Sequence, residues 1–275
     1  MKQTRKIISI SFLIFVINFG LVASPKRLIS VPGKSHTFLT GNTKQQPWRA
    51  SSPYAKPLLQ TRSKSLNNNK NDWNRAELNT AKDVKYLSDL EKAVIQEMNM
   101  VRTAPAKYAS LYLTEMKKYF NKRQLEYPGE VIILTQEGVR AVEECIRFLK
   151  KAKPVGLLLP SRGMSKAAKD LVKDQSKTGR TGHTGSDKSD PNNRLSRYGE
   201  WIKTCGENIE YGNNIARRIV LSLLIDDGVP SRGHRANLMQ KNFRVCGIAC
   251  GTHPEYRYMC VIDYAGGFHE NKDGR

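Results

Sequence analysis

The chain has 275 residues, 39% of them apolar and 8% aromatic, with 46 Lys and Arg against 25 Asp and Glu for a formal net charge of +21. That length allows one or two domains, and the composition excludes collagen, a disulfide-dense miniprotein and a multi-span membrane protein. The charge is uneven: up to Lys82 there are 14 basic and 2 acidic residues, so more than half of the excess sits in less than a third of the chain.

At the start, Lys2, Arg5 and Lys6 precede a nearly unbroken apolar run from Ile7 to Val22, and the small residues Ala23 and Ser24 follow. That order is the order of a secretory signal, with cleavage expected after Ala23. The alternative is an uncleaved signal anchor that tethers the chain to a membrane. Residues 24–82 read as a basic arm rich in Pro, Ser, Asn, Gln, Lys and Arg, with no sustained apolar period to repay the entropy of ordering. The arm is expected to act as a solvated spacer or to meet a membrane surface or another polyanion through its charge.

Folding signals begin near Tyr86. Ser88 and Glu91 have capping-box spacing, and Leu90, Val94, Ile95, Met98 and Val101 then follow one helical stripe. Pro105 predicts a fresh helix that carries Tyr108, Leu111, Tyr112 and Met116. Tyr127-Pro128-Gly129 interrupts the chain. Amphipathic helices are expected around Val139–Leu149, Met164–Val172 and Ile215–Leu223, the last stopped by Asp226-Asp227-Gly228. Two strands follow, over Phe243–Cys250 and Tyr256–Tyr264, around a turn that holds His253 and Pro254. Helices first and an antiparallel hairpin last predict an α+β fold.

Three polar signatures stand apart from the apolar stripes: Gly182-His183-Thr184-Gly185-Ser186-Asp187, Gly206-Glu207-Asn208-Ile209 and Gly233-His234-Arg235-Ala236-Asn237-Leu238. Two imidazoles and a carboxylate suit a divalent metal, or a base with the group that orients it. They equally suit buried structural polar groups. The sequence carries no phosphate-cradling Gly loop followed by Lys, no dinucleotide fingerprint and no Cys-pair zinc module. Export and scattered charge disfavour specific nucleic-acid binding.

In their order these signatures resemble the bacterial-type branch of the CAP superfamily (cysteine-rich secretory, antigen-5-like and pathogenesis-related proteins; the SCP domain). The resemblance runs from about Ser88 to Phe268. It includes Asn99-Met100-Val101-Arg102, similar to the family's opening Asn-x-x-Arg, and the exit from Met259 to Gly267. It implies an α-β-α sandwich, a small antiparallel sheet flanked by helices, over 83–268, with a short tail at 269–275. It also implies a solvent-accessible cleft that gathers His183, Glu207 and His234 with a fourth acid. Asp226 is the nearest candidate for that acid and Asp227 the second, either one methylene shorter than the usual residue. His183, His234 and Glu207 would be the ligands of a divalent metal, Zn²⁺ or Ca²⁺, if one binds. The stretch from about Leu113 to Lys153 is longer than the usual domain.

Five cysteines make an odd count for an exported chain. If opposed residues across the final hairpin have numbers that sum to about 510, Cys250 faces Cys260 and the two are either a disulfide or buried thiols. Cys145 reads as a core residue. Cys205, beside Glu207, has no third group to orient it as a nucleophile. The leading functional expectation is a secreted, non-catalytic binding module for a lipid or sterol, or for an extracellular protein or glycan. A metal-assisted hydrolase and a purely structural cleft are the alternatives.

Overall fold

The computed structural model describes residues 16–19, 73–128 and 132–271. In chain order the elements are β1 Val16–Phe19, α1 Arg75–Leu78, α2 Asp89–Thr103, α3 Pro105–Tyr108, a π turn over Ala109–Leu113, and α4 Thr114–Met116. Next come β2 Phe120–Asn121, β3 Gln124–Leu125, β4 Ile133–Leu134, α5 Val139–Lys151, β5 Leu159–Pro160 and α6 Arg162–Thr178. The chain continues through α7 Pro191–Ser196, β6 Gly199–Trp201, β7 Cys205–Tyr211, α8 Ala216–Ile225, α9 Gly233–Leu238, β8 Val245–His253, β9 Arg257–Ala265 and β10 Phe268–Glu270. The central sheet has the order β1-β7-β9-β8-β5, antiparallel except where β5 runs parallel to β8.

Because side chains alternate across a strand, each strand feeds two different cores. Ile209, Tyr211, Ala249, Met259 and Val261 pack with Leu171 and Val172 of α6. The alternate residues Cys246, Ile248, Cys260, Ile262 and Tyr264 pack with α2, α5 and α8, through Val94, Ile95, Met98, Cys145, Ile219 and Leu223. Helices therefore cover both faces, and the α+β, α-β-α expectation holds. Gly247 makes the α6 layer possible: a Cβ there would come within 2.1 Å of the Met164 carbonyl carbon.

The Asn-x-x-Arg of α2 is a set of internal pins. Asn99 Nδ2 donates to the carbonyl of Leu78 at 3.0 Å, and Asn99 Oδ1 accepts from the amide of Leu158 at 2.8 Å. Arg102, fully buried, donates to the carbonyls of Gly156, Leu238 and Phe243 at 2.7–2.9 Å. Each bond satisfies a backbone amide or carbonyl in a loop or at a helix end. The capping box of α2 forms, with Ser88 Oγ accepting from the Glu91 amide and Glu91 Oε2 accepting from the Ser88 amide.

One boundary moves. The packed unit begins at Trp73 rather than Asp83: Trp73, Leu78 and Ala81 are buried in the main core. A single short turn of helix with one Trp gives no periodicity to detect, so a ten-residue stretch that holds three core residues reads as the end of the arm. Val16–Phe19, inside the stretch that reads as an export signal, pair antiparallel with the outer edge of β7. The remainder of that stretch and the arm up to Asp72 lie outside the described residues. Among the described residues no helix is long and apolar enough to cross a membrane.

Candidate functional site

The three polar signatures and Asp226 form two His–carboxylate pairs. His183 lies in the loop after α6, and its Nδ1 is 2.6 Å from Oε1 of Glu207 on β7. The second Glu207 oxygen accepts from Arg194 of α7 at 2.7 Å. Arg194 also donates to the carbonyls of His183 and Ser189, at 2.9 Å each, and so holds the His183 loop to the strand. Burial alone would raise the Glu207 pKa, but the His183 hydrogen bond and the charges of Arg194 and His183 outweigh it, and the net shift is downward.

The second pair is built at a helix end. Asp226 caps α8 in the left-handed region (φ 58°), a conformation that Asp tolerates better than most residues. Its Oδ1 is 2.6 Å from His234 Nδ1, and its Oδ2 accepts from the His234 amide at 2.9 Å. Asp226 thus caps the start of α9, whose own N-cap residue, Arg232, supplies no side-chain bond. Arg235 extends the network, with its guanidinium on the carbonyl of Leu224 and on both oxygens of Glu144. Asp227, the second candidate for the fourth acid, turns elsewhere: its carboxylate accepts from the amides of Gln136 and Glu137 at 2.6 and 2.8 Å.

These pairs are buried. His183 is 6% exposed, and Glu207, Asp226 and His234 are at 0%, so the expected solvent-accessible cleft is corrected to a closed network. The pairs also approach β7 from opposite sides. Glu207 shares its face with Asp263 and Gly247, against α6, whereas the His234 carbonyl receives Asn208 Nδ2 from the other face. Nδ1 pairing with a carboxylate is the arrangement that orients a metal-ligating imidazole. Yet among the described residues no three His, Cys, Asp or Glu side chains gather around a common point. The oxygens of Glu207 and Asp226, as placed, are already engaged by protein donors.

Sequence reasoning missed two members of the network. Arg194 sits in a short helix with no apolar period. Asp263 reads as part of an apolar strand, but it lies directly opposite Glu207, is fully buried, and has neither carboxyl oxygen hydrogen-bonded to a donor. Burial, then the neighbouring Glu207 charge, pushes its pKa far above the ordinary carboxylate range. Cys205 is no nucleophile: it is buried, its thiol donates to Asn192, and burial pushes its pKa up to about 12.

A different site opens in the stretch that is longer than usual. The β2–β4 meander and α8 line a pocket of about 70 Å³, open to solvent, with walls from Met116, Phe120, Leu125, Tyr127, Ile133 and Leu221. Arg218 lies on its wall, over the Tyr127 ring at 4.8 Å, and Asp227 closes one end through its bonds to the Gln136 and Glu137 amides.

Comparison with known proteins agrees with the resemblance. Residues 137–264 match the model of the cysteine-rich secretory protein family, CAP. No curated protein matches the chain. Among solved structures, an outer surface protein from Borrelia burgdorferi is similar at 18% identity and a TM-score of 0.34, over 39% of this chain and 76% of that one.

Proposed function

With residues 137–264 matching the model of the CAP family, we propose that the chain is an exported, non-catalytic binding module whose ligand is an amphiphile that inserts the end of its alkyl chain into the pocket between the β2–β4 meander and α8. One observation carries the non-catalytic half: both oxygens of Glu207 and both of Asp226 already accept bonds from protein donors. A general base needs an oxygen within reach of the water it activates, and using one here would break a buried pair. The His–carboxylate network is a brace that fixes α7 and α9 to the two sides of β7. The lining of the pocket supports the ligand class. Its apolar walls suit a hydrocarbon chain, which gains roughly 0.8 kcal/mol per CH₂ removed from water, and Arg218 offers a cation to an anionic head.

Calorimetric titration of hexadecanoate and of hexadecanol tests this reading. Leu221→Asp places a charge on the apolar wall and should weaken both ligands by at least about tenfold. Arg218→Gln should weaken hexadecanoate more than hexadecanol. Equal heats in wild type and Leu221→Asp would remove the pocket as the site.

A further inference from the structure

Apart from this pocket and from the His–carboxylate brace, a second cluster of reactive groups lies across β8, β9 and β7. Cys250 and Cys260 are directly opposed in the β8–β9 ladder, with their Sγ atoms 2.8 Å apart. The Cys250 amide does not bond to Cys260; it donates to Glu91 Oε1 at 2.9 Å. The two cysteines are therefore a non-hydrogen-bonded pair, the narrow rung of an antiparallel ladder at about 4.5 Å between Cα atoms. That spacing falls inside the range a disulfide bridges.

Their surroundings are unequal. Cys250 is partly exposed and lines a groove with Lys85, Lys169, Lys173 and Lys177, in which Glu91 is the one acid. The three α6 lysines recur every four residues and so share one helix face. Cys260 is fully buried behind Cys250, and its other cross-strand neighbour is Glu210 of β7, also fully buried. Among the described residues the Glu210 carboxylate accepts hydrogen bonds from the amide and side chain of Asn213 alone.

We propose that Cys250 and Cys260 form a thiol–disulfide exchange site, with Cys250 as the attacking sulfur, Cys260 as the resolving sulfur, Glu210 as the proton acceptor, and an anionic low-molecular-weight disulfide of the glutathione kind as substrate. In the first step Cys250, having lost its proton to solvent, attacks one sulfur of R–S–S–R. The substrate S–S bond breaks, one R–S⁻ leaves and is protonated by water, and Cys250–S–S–R remains. In the second step Cys260 passes its proton to Glu210, its sulfur attacks Cys250 Sγ, and the second R–S⁻ departs with that proton. The pair gives up two electrons and becomes a disulfide while one substrate disulfide becomes two thiols. Two thiols of the same class reverse the sequence.

The electrostatics fit these roles. Burial first, then the hydrogen bond and charge of Cys250, then Glu210, push the Cys260 thiol far above its ordinary pKa, so it needs an adjacent base. Burial, opposed by the Asn213 bonds, raises Glu210 to about 8, close to the pH at which it can both take and release a proton. The other three thiols do not compete: Cys145, Cys205 and Cys246 are buried and each is pushed up to about 12 by desolvation.

The test treats the full chain with glutathione disulfide and follows alkylated peptides by mass spectrometry. Cys260→Ser should trap a Cys250–glutathione mixed disulfide, and wild type should pass through it to a Cys250–Cys260 disulfide that excess reduced glutathione reopens. Glu210→Gln should form the mixed disulfide at the wild-type rate and resolve it about 100-fold more slowly, as expected when a general base is removed. Should that variant fail to fold, Glu210→Asp must slow the resolving step alone. Lys169→Glu with Lys173→Glu should slow the first step and spare the second. An unmodified Cys250 in Cys260→Ser would overturn the proposal. So would a disulfide that reduced glutathione cannot reopen, which would be a permanent staple, or resolution at the wild-type rate in a folded Glu210→Gln.

Discussion

Replacing Arg194 by Leu is the sharpest perturbation of the brace. Its guanidinium is 2.7 Å from Glu207 Oε2 and 2.9 Å from the carbonyls of His183 and Ser189, and both side chains of the ion pair are at most 1% exposed. The substitution keeps apolar bulk but strands a buried carboxylate and two buried carbonyls. Removing one partner of such a pair costs about 3–5 kcal/mol. For a domain near 200 residues each kcal/mol moves Tm by roughly 2–4 °C, so a drop of about 6–20 °C is expected. Urea unfolding at pH 7 should show a lower midpoint with an unchanged slope. The pH dependence adds a second check. The folded-state pKa of Glu207 is depressed, so its contribution is complete above the unfolded carboxylate value and is lost as the pH falls through the folded value. Without Arg194 that loss begins at higher pH, and the gap between variant and wild type should close on acidification. A destabilisation below about 1 kcal/mol, or a gap that does not change with pH, would refute the brace.

Three further outcomes are expected. Amino-terminal sequencing of the exported protein should place its first residue between about 21 and 26; a start at Met1 would contradict the signal reading. A chain that begins at Asp83 loses the buried Trp73, Leu78 and Ala81, and should be roughly 3–5 kcal/mol less stable than one that begins at Asn71; equal melting temperatures would place those residues outside the cooperative core. Glu210 has a folded pKa raised to about 8, so the native state binds its proton more tightly and stability should fall as pH rises from the unfolded value towards 8. That fall should be on the order of 3–5 kcal/mol and should vanish in Glu210→Gln, as read by denaturant midpoints at pH 5 and pH 8.

Where a segment is long and one-sided, its apolar period reads directly. The stripes at Leu90–Val101, Val139–Leu149 and Met164–Val172 became α2, α5 and α6, and the final hairpin brought Cys250 opposite Cys260. Strand β7 of the main sheet was not legible. Both of its faces are buried and two of its residues are Glu, so Cys205–Tyr211 shows neither alternation nor an apolar run. The meander β2–β4 has strands of two residues, below any period, and with it the ligand pocket escaped notice. The candidate site was half legible. Motif order located His183, Glu207, His234 and Asp226, but spacing along the chain cannot say that Glu207 and His234 act from opposite sides of one strand. Nor could it separate an Asp that is short for a metal from an Asp of the right length to cap α9. Buried charge satisfied inside the fold, by the Glu207 carboxylate for Arg194 and by backbone carbonyls for Arg102, has no sequence signature, because an arginine looks the same on the surface.

A single nuclear magnetic resonance titration puts the central claim to the test. Methyl-labelled Ile and Leu, together with ¹⁵N-labelled imidazoles, would be followed while hexadecanoate is added to the full-length chain. The account predicts that the methyl signals of Leu125, Ile133, Leu221 and Ile225 shift together and saturate while the His183 and His234 ring signals stay in place. Shifts confined to the two imidazoles, with the pocket methyls unmoved, would contradict it.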